Sequence, residues 1–87
     1  MLITSLSNNQ IKQIRKLREK KYRTESGLFF LEGIRIVIEA LQTSGFVEQL
    51  IICRDLLNGD KALETVSDAQ EKNIPILEVN EDVVKSL

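Results

Sequence analysis

The chain contains no histidine. With the commonest general base and the commonest metal-binding side chain both missing, Ser-His-Asp catalysis, Cys-His catalysis and histidine-rich metal sites are excluded. Cysteine occurs once, as Cys53 in the apolar run Leu50-Ile51-Ile52-Cys53. A disulfide, a CxxC redox pair and a zinc ribbon each lack a partner there, so the expectation is a buried core thiol. No apolar run approaches the roughly 18–20 residues that span a bilayer, and Met1-Leu2-Ile3-Thr4-Ser5 lacks the charged-then-apolar layout of a secretory signal. The expected location is the cytoplasm. Neither GxGxxG nor GxxxxGK[ST] occurs, which removes the usual support for a nucleotide cofactor. Ser5, Ser7 and Ser26 have no histidine to activate them and are read as capping and turn residues. There is no internal repeat and no low-complexity linker.

What is present is an 87-residue chain, 43% hydrophobic and 29% charged, enough for one folded, water-soluble domain over residues 1–87 with a modest core. The net charge of −1 conceals two halves of opposite sign. Residues 1–40 carry eight Lys/Arg against four Glu, and residues 41–87 carry four against nine Asp/Glu. Within Lys12–Arg23, seven basic residues face one acid, Glu19.

Ser7-Asn8-Asn9-Gln10 reads as a capping box, with Leu6 and Ile11 as its hydrophobic staple. It opens a basic helix that carries Ile11, Ile14 and Leu17 on an apolar stripe and frays near Arg23–Gly27. Leu28-Phe29-Phe30-Leu31 is an apolar run after a glycine, predicted as a buried strand ending at Glu32-Gly33. Ile34, Val37, Ile38 and Leu41 then share one helical face up to a stop at Ser44-Gly45. Val47–Cys53 is a second predicted strand. A helix starting near Asp60 should turn Ala62, Leu63, Val66 and Ala69 inward until Lys72-Asn73. Ile74–Val79 is the next strand, with Pro75 suited to its start or to a sheet edge. Asn80 caps a last helix that is cut short at Leu87, so the natural chain is expected to continue. Strands alternating with helices imply a small three-layer α/β/α sandwich with a largely parallel or mixed sheet, preceded by the basic helix.

The basic stretch is the main functional signal. Phosphates favour such a surface through counterion release, and Tyr22 offers a ring for an unpaired base. The bland alternative is a solvated helix face, which Lys and Arg form without any partner; the concentration of charge tips the balance toward nucleic acid. Glu32-Gly33-Ile34-Arg35 lies at a strand-to-helix junction, where open α/β sheets build ligand sites. There Arg35 can meet a phosphate, or Gly33 can simply allow a tight turn. The acids after residue 41 read as solvated faces.

The stretch Ile3–Val37 resembles the opening of SpoU/TrmH-family RNA 2′-O-methyltransferases. The resemblance rests on Asn9-Gln10-Ile11-Lys12 at the helix start, on Lys20-Lys21-Tyr22-Arg23 followed by Gly27, and on Phe30-Leu31-Glu32-Gly33-Ile34-Arg35 before an apolar helix. Val47–Cys53 and Ile74–Val79 fit the family in pattern only. The resemblance implies a fold similar to ribosomal proteins that bind kinked RNA. It further implies a substrate-binding domain that presents RNA to a knotted methyltransferase domain, expected after residue 87. That second domain would bind S-adenosylmethionine and form the homodimer, and the present stretch would be non-catalytic with no cofactor of its own. Carried across residue by residue, Lys20, Lys21, Arg23 and Arg35 are the first candidates for RNA contact, and Lys12, Arg15 and Lys16 the second. Glu32 and Gly33 match too, with a structural role equally open. The resemblance favours ribosomal over transfer RNA. A reading from another class stays open: a protein-interaction or dimerisation module whose basic helix docks on an acidic partner.

Overall fold

In the computed structural model, which describes residues 2–43 and 47–87, eight elements follow one another. They are β1 (Leu2–Ile3), α1 (Asn9–Arg15), α2 (Lys20–Ser26), α3 (Ile34–Gln42), β2 (Leu50–Ile52), α4 (Gly59–Glu71), β3 (Ile76–Val79) and α5 (Glu81–Ser86). Short 3-10 turns cover Lys16–Arg18 and Arg54–Leu56. The strands form one parallel sheet in the order β1-β3-β2, with Leu2 opposite Glu78, Ile3 opposite Val79 and Leu50 opposite Ile76.

Because successive strand side chains point to opposite faces, the sheet sorts its apolar residues into two cores. Ile3, Cys53, Leu77 and Val79 meet Ile11 of α1 and Val83 of α5 on one face. Leu50 and Ile52 meet Leu41 of α3 and Ala69 of α4 on the other. This is the expected α/β/α sandwich, and Cys53 is the expected buried thiol. Pro75 stands just before β3, where it has no ladder N–H to supply; its carbonyl accepts from the Leu50 N–H at 2.9 Å. Asn80 caps α5, its Oδ1 accepting from the Val83 N–H at 2.9 Å.

Several local expectations are corrected. Leu28–Leu31 is not a strand. Both edges of the central strand are already taken, by β1 and β2, and the run makes no ladder; Phe29 is 68% exposed. A two-residue strand is too short to register as a period, which is why β1 had no signal. The cap of α1 is Asn8, not Ser7. Its Oδ1 accepts from the N–H groups of Gln10 at 2.8 Å and Ile11 at 3.3 Å, while Ser7 Oγ pairs with Ser5 Oγ at 2.9 Å. Leu6 stays half exposed, so the staple is not its role. Asn8→Ala is expected to lower stability by about 1 kcal/mol, read as a shift in the urea midpoint at constant slope.

The single basic helix is broken into α1, a 3-10 turn and α2. Glu19, at φ −90° and ψ 127°, takes the chain out of helical geometry. The break leaves carbonyls without helical partners, and the Arg23 guanidinium donates to two of them, Leu17 O and Arg18 O, each at 2.8 Å. Gly27, at φ 73°, ends α2 in the left-handed conformation glycine favours. On α4 the inward face is rotated from the expected one: Leu63 is 62% exposed, and Thr65 is buried with its hydroxyl donating to Lys61 O at 2.7 Å. Ile34 is likewise more exposed than its spacing suggests. Asn73, at φ 58°, closes α4, close to the expected Lys72-Asn73 stop. The stop expected at Ser44-Gly45 lies outside the described residues.

Candidate nucleic-acid interface

The break at Glu19 bends the basic stretch, bringing the Tyr22 hydroxyl to Gln13 and the Arg23 guanidinium to the carbonyls of Leu17 and Arg18. The 3-10 turn packs on both α1 and α2, and this hairpin gathers Lys12, Arg15, Lys16, Lys20, Lys21 and Arg23. Lys12, Lys16, Lys20 and Lys21 are exposed. Lys20 and Lys21 occupy the first turn of α2, where cations oppose the helix dipole. The helix dipole therefore gives no reason for them to be there. Among the described residues, no cation of this hairpin makes an ion pair; the three pairs present are Arg54–Glu78, Lys72–Asp68 and Lys85–Glu81. The acids spread after residue 41 thus leave the hairpin's charge unneutralised.

The arginines differ from the lysines. Arg15 donates through Nη2 to Leu6 O and Ser86 Oγ, both at 3.0 Å, and through Nε to Ser86 O at 3.3 Å. Arg18, which sequence reasoning did not single out, also donates to Ser86 O. Arg15 and Arg18 thereby tie the hairpin to the end of α5, and Arg23 holds the bend. The positions of the three guanidiniums are thus fixed chiefly by main-chain acceptors. A spacing of three places Arg15 and Arg18 on one helical side, the signal that could have marked Arg18. Lys16 Nζ lies 5.8 Å from the centroid of the Tyr22 ring, whose hydroxyl donates to Gln13 Oε1 at 3.0 Å. One face of the ring expected to stack on a base is thus occupied by a cation.

Arg35 stands apart on α3, the helix that packs against α4; it is exposed and its side chain makes no hydrogen bond among the described residues. Gly33 before it has φ 117°, a backbone region that L side chains rarely adopt, so its turn role is structural.

Clefts open on the surface of the described residues, and two of them bear on the site. One of about 290 Å³ lies beside the hairpin, lined by Arg15, Arg18 and Arg23 together with Phe29 and Phe30. The other, about 430 Å³ and mostly apolar, lies between the start of α3, β2 and α4. No acidic side chain lines either. No group of three or more potential metal ligands occurs among the described residues, and no helix among them is long and apolar enough to cross a membrane.

Comparison with known proteins places this geometry. The crystal structure of an rRNA methyltransferase from Sinorhizobium meliloti superposes with a TM-score of 0.78 at 30% identity, covering 99% of this chain and 30% of that one. The AdoMet-bound form of that enzyme gives 0.80 with the same identity and coverage. The Bacillus subtilis 23S rRNA (guanosine(2553)-2'-O)-methyltransferase RlmP is 38% identical over 50 residues, 58% of this chain and 20% of that protein. The chain thus spans less than a third of the length of each of these relatives. A family model described as the MRM3-like substrate binding domain matches residues 8–87, which include the whole basic hairpin, both clefts and all but the first strand of the sheet. The chain belongs to the MRM3-like substrate-binding domain family.

Proposed function

We propose that the chain recognises RNA, ribosomal in preference to transfer RNA, on behalf of an S-adenosylmethionine-dependent 2′-O-ribose methyltransferase. The catalytic domain follows residue 87 in the full-length protein, acts in the cytoplasm and supplies the homodimer contact. One observation carries the reading: a substrate-binding domain presents a helical hairpin whose clustered cations have no acidic partners among the described residues. Such a surface gains affinity for a phosphate backbone by releasing condensed counterions. Lys20, Lys21, Arg23 and Arg35 are the first contacts in this proposal, with Lys12, Arg15 and Lys16 flanking them. Arg15 and Arg23 serve with their unengaged N–H groups, since the others hold main-chain carbonyls.

The cofactor belongs to the remainder of the protein, and substrate presentation is this chain's share.

Titrating the full-length protein with a fluorescein-labelled rRNA hairpin at salt concentrations from about 0.05 to 0.3 M tests the proposal. The logarithm of the association constant is expected to fall linearly with log[salt], by roughly 0.7–0.9 for each phosphate contacted. Affinity that is absent, or insensitive to salt, overturns it; a concentration-dependent dimer with no RNA affinity would instead mark a protein-interaction module.

A further inference from the structure

Phe29 is 68% exposed and its neighbour Phe30 is 37% exposed. Fully burying a phenylalanine ring stabilises a fold by about 1.5–3 kcal/mol, so the largely exposed Phe29 ring, beside a Phe30 ring that is over a third exposed, is unusual for a segment with a core to hand. Both rings line the 290 Å³ cleft. So do Arg15, Arg18 and Arg23, none of which makes an ion pair among the described residues. Each guanidinium is held by main-chain carbonyls but keeps other donors outside those bonds: Nη1 on Arg15, Nε and Nη1 on Arg18, Nε and Nη2 on Arg23. The result is an aromatic wall beside three positioned cations, with Ile14, Leu17 and Leu87 completing the lining and no acidic side chain in it.

The complement of that surface is a flat aromatic group carrying a phosphate. A run of paired bases presents its rings only to one another, whereas an unpaired base offers a free face to an aromatic side chain. The volume is at the small end of ligand sites, about 300–1,000 Å³, and suits one base rather than several. We infer that this cleft receives a single unpaired nucleotide of the RNA substrate, its base against Phe29 and Phe30 and its phosphate facing Arg15, Arg18 and Arg23. This rests on the RNA-recognition reading above and adds to it a preference for looped over fully paired RNA.

The test compares the full-length protein with its Phe29→Leu variant on two probes: a single-stranded RNA nonamer with a central 2-aminopurine, and a blunt nine-base-pair RNA duplex. Leucine keeps the apolar surface and removes the stacking face, and at so exposed a position it leaves the thermal melt unchanged. The variant should bind the single strand on the order of tenfold more weakly and lose the 2-aminopurine quenching, while its duplex affinity stays the same. Unchanged single-strand affinity overturns the inference, as does an equal loss on both probes. A lowered melting temperature with RNA affinity intact also overturns it, because the cleft would then be filled by polypeptide. If the unsubstituted protein binds neither probe, the RNA-recognition reading itself falls; if it binds both and the variant matches it, only the nucleotide site does.

Discussion

Lys20→Gln combined with Lys21→Gln is expected to weaken the full-length protein's affinity for the labelled rRNA hairpin about 20-fold at ~0.15 M salt. Each phosphate contact contributes roughly 0.7–0.9 to the slope of log K against log[salt]. Near 0.15 M each lost contact therefore removes a factor of about four to five, and two together about 20. The slope itself should become shallower by about 1.5, a signature that altered folding would not produce. Both side chains are exposed in the first turn of α2, where removing positive charge relieves an unfavourable dipole interaction. The circular dichroism spectrum should accordingly be unchanged and the melting temperature no lower. Unchanged RNA affinity in the double variant would remove these two lysines from the interface.

Ile11→Ala is the substitution expected to cost the fold most. Ile11 is completely buried, where α1 packs against Val79 of the central strand and Val83 of α5. Truncating such a side chain costs about 2–5 kcal/mol, because the cavity left behind relaxes only partly. A domain of this size has on the order of 5–10 kcal/mol in total, so roughly half of its margin is lost. The urea midpoint should fall by a comparable fraction with the slope preserved. RNA affinity at 37 °C should fall with it, since α1 carries Lys12 and Arg15 and shares the hairpin with α2. A midpoint shift below about 1 kcal/mol would mean that α1 is not anchored by this residue.

The layered architecture was legible because two strands and three helices obey the periods of their own geometry. Leu50-Ile51-Ile52 and Ile76–Val79 became strands, Leu41 and Ala69 faced the sheet as their spacing implied, and Asn80 capped α5. Errors arose where a long-range choice overrode a local one. Leu28–Leu31 has the composition of a strand, but the positions beside β3 go to β1 and β2. Ser7 and Asn8 are both competent caps, and the backbone geometry before α1 selected Asn8. The hairpin was invisible because Lys, Arg and Glu all favour helix, so the break at Glu19 has no compositional mark. For the interface, the basic stretch was read directly from charge. The fixing of Arg15 and Arg18 by Ser86 was not, because those partners lie 71 and 68 positions away in the sequence.

The place of β1 sets an order of events. Its two residues are the first part of the fold to be synthesised, yet they pair with Glu78 and Val79, and the Asn80 N–H donates to Ile3 O at 3.2 Å. That pairing closes a loop of nearly the whole chain, and such distant contacts carry the largest ordering entropy and form slowly. A polypeptide emerging from its N-terminus must therefore hold Leu2 and Ile3 unpaired until the central strand has been made. The sheet is completed by the earliest-made residues of this fold, and the basic hairpin that follows them can take its final seat against α5 only once α5 has been synthesised.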